Sequence, residues 1–110
     1  MSRECRDFEN AEEVWFWFCR SMMARAEGLR GRGIDYLGYI RKCEICDIER
    51  LIKRLKAAKL ISNRQLRVLI KWGKLDTAPY YDRRAKRSEI RLWESAINTF
   101  DSALKAKGIL

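Results

Sequence analysis

Apolar residues recur at helical spacing along most of the chain, and capping residues divide this pattern into four segments. The first has Asn10 as an N-cap with Glu13 three residues later, and it should run from about residue 11 to residue 27. Apolar side chains surround this helix between Val14 and Met23. We therefore expect it to be buried on more than one side.

The next two segments form a pair around a short apolar turn. A second helix is predicted to begin after Asp47, an N-cap residue, with apolar side chains on one face and basic ones elsewhere. Ser62 and Gln65 have the spacing of a capping box and start a third helix, which Gly73 is expected to stop. Residues 47–73 therefore have the form of a helix-turn-helix.

A single long helix is predicted at the C-terminal end. The only proline, Pro79, marks a break, and beyond Asp82 apolar residues follow a helical period as far as Gly108. Four glycines space out residues 28–46, which we expect to pack back on the core through their aromatic side chains. The sequence thus predicts an all-α fold, a single domain over residues 1–110 of about four helices, with a helix-turn-helix-like pair and a long C-terminal helix.

Charge then narrows the class of partner. Lysine and arginine number 24 against 15 acidic residues, a net charge of +9. Residues 1–27 hold four basic and six acidic side chains, whereas residues 28–110 hold twenty and nine. An anionic polymer suits such a surface, although basic side chains that merely solvate the helices would give the same count.

The helix pair supplies candidate residues for binding nucleic acid, with duplex DNA favoured. In such pairs polar residues early in the second helix reach base edges while basic residues contact phosphates. The candidates for reading bases are Asn63, Arg64, Gln65 and Arg67. The candidates for phosphate contacts are Arg50, Lys53, Arg54, Lys71, Lys74, Arg83, Arg84, Lys86 and Arg87. Any basic helical hairpin shows a similar pattern, so the residues alone leave both interpretations open.

Residues 60–70, LISNRQLRVLI, resemble the helix that opens the fourth region of bacterial sigma factors and related phage regulators. In those proteins a serine-capped helix precedes the DNA-reading pair, so the resemblance implies a bacterial or phage transcription regulator. The helix-turn-helix that should follow is replaced here by KLDTAPYYDRRAKRSE. Under that alignment the start of the long helix, with Arg83, Arg84, Lys86 and Arg87, would face the nucleic acid.

The remaining chemistry favours binding over catalysis. Cys43 and Cys46 form a CxxC pair, but a structural zinc site needs four ligands, and the chain has neither a histidine nor a second CxxC. We expect ordinary buried or half-buried cysteines, no metal and no cofactor. No glycine loop or nucleophile–base pair marks an active site, so the protein is expected not to be an enzyme.

The N-terminal helix indicates an alternative function for the protein. Its aromatic run, residues 15–18, with Met22 and Met23, would suit a protein partner or a homodimer, and Trp15 or Phe18 is the expected contact. An adaptor or inhibitor is thus the competing hypothesis.

The apolar run is too short to cross a bilayer, and no secretory signal opens the chain, so we expect a cytoplasmic protein with reduced thiols.

Overall fold

Four α-helices and one short 3-10 helix make up the described part of this computed structural model, residues 7–26 and 43–110, in which no strand occurs. In chain order they are α1 (Ala11–Ala26), α2 (Ile45–Ala57), α3 (Asn63–Leu75), the 3-10 helix Pro79–Tyr81 and α4 (Arg87–Ala106). The predicted all-α fold of about four helices is confirmed. The expectation for residues 28–42 lies outside the described residues.

Local capping sets two helix starts where the sequence predicted them. The Asn10 Oδ1 atom accepts the Glu13 backbone N–H at 2.9 Å and opens α1. At α3 the Ser62 Oγ atom accepts the Gln65 N–H at 3.1 Å, and the Gln65 Oε1 atom accepts the Ser62 N–H at 2.8 Å. Each cap stabilises its helix by about 1 kcal/mol, since it pairs backbone donors that the helix leaves free.

Two predicted helix starts are wrong, and both involve an aspartate. α2 begins two residues before Asp47, which is the third helical residue and accepts the N–H of the N-cap Glu44 at 2.8 Å. α4 begins at Arg87, because Asp82 holds a turn instead of starting the helix. Its Oδ1 atom accepts the Arg84 N–H at 2.9 Å, and its carbonyl accepts the Ala85 N–H at 3.1 Å.

The prediction that Gly73 ends α3 is wrong. This residue lies at the crossing of α1 and α3. The helix continues to Leu75 and ends at Asp76, whose φ of 56° is left-handed. A Cβ atom on Gly73 would overlap the Cys19 Sγ atom and lie 2.8 Å from the Trp15 Nε1 atom. Burial raises the pKa of the Cys19 thiol to about 12, so a neutral thiol packs here.

Indole N–H groups join α1, α3 and α4 in a closed ring. The bonds run from Trp15 to the Leu69 carbonyl (2.8 Å), from Trp72 to a Glu89 carboxylate oxygen (3.2 Å) and from Trp93 to a Glu12 carboxylate oxygen (3.0 Å). All three tryptophans are buried, as are Phe100 and Leu104 of α4. Each pair of these helices is therefore held by one buried indole donor.

The two helices of the predicted pair form as α2 and α3, joined by residues 58–62, but they do not pack closely on each other as the helices of a helix-turn-helix do. The turn places Lys59 at a φ of 60° and directs the Leu60 N–H to the Leu55 carbonyl at 2.9 Å. α2 packs mainly on α1, whereas α3 packs on α4 and α1. The two helices therefore have different main neighbours, which fixes α3 independently of α2.

We expect Gly73→Ala to destabilise the protein. The same change in an exposed helix interior stabilises by about 1 kcal/mol, but here the new methyl group meets Cys19 and Trp15, and we expect a loss of about 1–3 kcal/mol. Urea unfolding measures the difference. In a Cys19→Ala background the cost should shrink because the sulfur is gone. A Gly73→Ala protein at least as stable as the wild type would contradict the crossing.

Candidate nucleic-acid interface

The outer face of α3 is basic along its length. Successive helical residues are rotated by about 100°, so Arg64, Arg67, Lys71 and Lys74 share a sector of about 80°. All four side chains are exposed, and α3 contains no acidic residue. The side chains of Arg64 and Arg67 form no hydrogen bond or ion pair with any residue of the described ranges. Within these ranges their donors have no acceptor.

Lys71 connects this face to the first turn of α4. Its ammonium group lies 2.7 Å from a Glu89 carboxylate oxygen and 5.1 Å from the centre of the Trp72 ring. The Glu89 side chain is only 16% exposed, and the same carboxylate oxygen accepts the Trp72 indole N–H. The hydrogen bond from Lys71 lowers the pKa of Glu89. Glu89 thus stays ionised and keeps Lys71 beside α4.

The second basic run lies mostly in the turn before α4. Arg83, Arg84 and Lys86 precede the helix, and Arg87 is its first residue. The Arg84 guanidinium is bidentate on Asp82, with N···O distances of 3.1 and 2.9 Å. Hydrogen bonds from Arg84 lower the pKa of Asp82 to about 2. The other three side chains are exposed and have no carboxylate partner in the part of the chain that the structure describes.

We call the exposed candidate residues of α3 and of the turn before α4 together the α3–α4 surface. Lys71 bridges its two halves through Glu89, and its charge also acts on the Asp82 carboxylate in the turn. The members of the α3–α4 surface are Asn63, Arg64, Arg67, Lys71, Lys74, Arg83, Arg84, Lys86 and Arg87. The candidates on α3 and those before α4 are separated along the chain but meet at Lys71.

Gln65 differs from the other base-reading candidates because its amide is already used. Its oxygen accepts the Ser62 N–H, and its nitrogen donates to the Ser95 Oγ atom of α4 at 2.9 Å. Pairing with adenine would have to compete with these bonds for the same amide group. Gln65 instead positions α3 on α4, a role that depends on a contact thirty residues away and leaves no local signal.

The candidates on α2 lie at the other end of α4. Arg50, Lys53 and Arg54 are exposed. Arg50 and Arg54 line an open depression of about 320 Å³ together with Cys43, Asp47, Leu51, Lys107 and Ile109. Lys107 directly follows α4, whereas Arg87 opens it, and twenty helical residues between them span about 30 Å. Arg50 and Arg54 thus lie about the length of α4 from Arg87, and Lys107 is a basic neighbour that the sequence did not indicate.

The aromatic residues of α1 belong largely to the core. Trp15 and Trp17 are buried, and Phe16 and Phe18 are half-buried against it. Trp15, expected in an interface, instead binds the α3 backbone, so that expectation is wrong for this residue. Met23 is the large apolar side chain of α1 that remains exposed.

The cysteines and the helices show no further site within the described ranges. Cys43 is buried and Cys46 half-buried, as predicted for ordinary cysteines. No group of three or more His, Cys, Asp or Glu side chains there could hold a metal ion. Among the helices of these ranges, none has the length and apolar character needed to cross a membrane.

Comparisons with protein-family models, with curated proteins and with solved structures give no match for this chain. Any function assigned to the α3–α4 surface therefore depends on its charges and geometry.

We expect Glu89→Gln to destabilise the protein by about 1 kcal/mol at neutral pH, because Lys71 loses its ion pair and the Trp72 indole loses a charged acceptor. The pKa of Glu89 is lowered in the folded state, so its stabilisation is present above its ordinary pKa and is lost as the pH falls through the folded value. Urea unfolding at several pH values should show wild type and variant converging in acid. The matched change Glu94→Gln, at an exposed position of α4, should have little effect at any pH. A constant difference between Glu89→Gln and wild type down to strong acid would contradict this role.

Proposed function

We propose that this protein binds nucleic acid through the α3–α4 surface and acts as a non-enzymatic DNA-binding regulator or accessory factor. The observation that carries the proposal is the outer face of α3, where Arg64 and Arg67 are exposed and without partners among the described residues. Arginine stays protonated and presents a planar set of donors, which suits phosphates and base edges.

The arrangement of charge supports a polymer as the ligand. The α3 face and the turn before α4 adjoin at Lys71, so cations from two elements follow one another along one surface. A nucleic acid backbone places negative charges at regular short intervals and can contact several of these side chains at once. A small anion would use only one or two of them.

The roles within the surface differ by exposure and pairing. Asn63, Arg64 and Arg67 are the residues proposed to reach base edges, since they lie exposed in the first turns of α3. Lys74, Arg83, Lys86 and Arg87 are proposed to contact phosphates. Gln65 is left out because its amide bonds within the protein, and Arg50, Lys53 and Arg54 would contact only a ligand that extends along α4.

Binding of labelled duplex DNA at increasing salt concentration tests this proposal. We expect affinity to fall by orders of magnitude between low and physiological salt, because each phosphate contact releases a counterion. Lys74→Ala, which removes a proposed phosphate contact, should weaken binding and reduce the slope of log affinity against log salt by about one.

Lys105→Ala provides the matched control. It removes the same charge near the far end of α4, where Lys105 pairs with Asp101, and should leave the slope close to that of the wild type. Equal effects of Lys74→Ala and Lys105→Ala would show that net charge, not this surface, governs binding. Absence of any salt-dependent binding to duplex or single-stranded nucleic acid would refute the proposed function.

A further inference from the structure

Tyr81 is the most exposed large aromatic side chain of the described residues, at 78% of its full accessible area. Its ring contacts the neighbouring Tyr80 ring, with centroids 4.5 Å apart and planes inclined by 56°. An aromatic ring gains about 1.5–3 kcal/mol when it is buried, so the fold leaves this gain unused at Tyr81. A flat apolar surface is thus presented to solvent.

The 3-10 helix that carries Tyr81 is held in place by contacts with the rest of the protein. Pro79 opens the 3-10 helix and is buried, and the Tyr80 hydroxyl donates to both oxygens of the Glu12 carboxylate at 2.7 and 2.9 Å. Burial and this hydrogen bond raise the pKa of Tyr80, so the hydroxyl stays protonated. Glu12 also accepts the Trp93 indole N–H, which ties the 3-10 helix to α1 and α4 together. Tyr81 is therefore presented by a fixed backbone.

The surroundings of Tyr81 are cationic. Arg83, Lys86 and Arg87 follow within six residues and have no carboxylate partner in the described part of the chain. The carboxylate that follows Tyr81 in the chain, Asp82, is already bound by Arg84 in a bidentate pair. An exposed aromatic ring beside unpaired cations is the combination with which proteins hold single strands: the ring stacks on a base while the cations contact the backbone.

An exposed aromatic ring beside cations indicates which kind of nucleic acid it would bind. In a duplex the faces of the bases are covered by their neighbours, so a protein side chain that offers only a ring face gains little from it. An unpaired base has a free face, and every base can stack on tyrosine.

We propose that Tyr81 stacks on an unpaired base of a single-stranded nucleic acid whose phosphates lie on Arg83 and Arg87. This inference rests on the proposed function and names its substrate class: a strand with unpaired bases binds more tightly than a duplex. Tyr80 is a positioning residue that holds the 3-10 helix through Glu12.

Fluorescence anisotropy with a labelled single strand of roughly 12 nucleotides, its duplex and an abasic strand of equal length tests the proposal. The single strand should bind more tightly than the duplex. Tyr81→Ala should weaken single-strand binding on the order of tenfold and leave abasic binding unchanged, whereas Tyr81→Phe should behave like the wild type. Met23→Ala, which removes an exposed apolar side chain of α1 that is not part of the α3–α4 surface, is the matched control and should have no effect.

The possible outcomes distinguish failure of this inference from failure of the proposed function on which it rests. If the wild type binds neither form, the proposed function fails and this inference fails with it. If binding is salt-dependent but tighter to duplex, or is unchanged by Tyr81→Ala, nucleic-acid binding stands and the inference is overturned. Photocrosslinking of a bromouracil-substituted strand to the wild type needs no variant: a crosslink at Tyr81 supports the proposal, and crosslinks confined to other residues overturn it.

Discussion

The contact of Trp15 with the backbone of α3 determines which side of α3 faces outward. The indole reaches the Leu69 carbonyl at 2.8 Å, and it can do so because Gly73, one turn further along, has no side chain. Rotation of α3 about its axis would break this bond and bring a side chain against α1. The sector with Arg64 and Arg67 is thereby held on the outside.

The acidic side chains near the crossing of α1 and α3 form hydrogen bonds and ion pairs within the protein. Glu12 accepts the Trp93 indole and the Tyr80 hydroxyl, Glu89 accepts the Trp72 indole and Lys71, and Asp82 holds Arg84. The carboxylates that could neutralise the basic surface thus fix its elements instead. Lys71 and Arg84 are paired in consequence, while the remaining cations of the α3–α4 surface have no carboxylate partner in the described ranges. Structural bonds and surface charge are therefore linked.

Local signals in the sequence predicted the helices well, and contacts between distant residues account for what was missed. Asn10 and Ser62 act on the next turn of the chain, so their caps could be recognised directly. Asp47 and Asp82 are also residues typical of N-caps, but Glu44 and Lys86 take that position, which the sequence does not show. Gly73 follows an apolar run as a terminating glycine would, and only α1 reveals its role.

At the candidate site, too, contacts between distant residues could not be predicted from the sequence. Exposure of Arg64 and Arg67 follows from the helical period, whereas the bond of Gln65 to Ser95 and the approach of Lys107 to Arg54 depend on tertiary packing. The separation of the α2 candidates from the α3–α4 surface likewise required the position of α4. Tyr81 was missed because the 3-10 helix that presents it is tied down by the bond of Tyr80 to Glu12, a contact between distant residues.

The central claim is that nucleic acid binds across α3 and the turn before α4. An amide NMR titration with a short single strand tests it most directly, since each backbone N–H reports its own surroundings. The account predicts the largest shifts at residues 63–74 and 79–87, with little change at residues 50–54 and at Lys107. Shifts concentrated at residues 50–54 and Lys107, or spread evenly over all exposed basic residues, would contradict it.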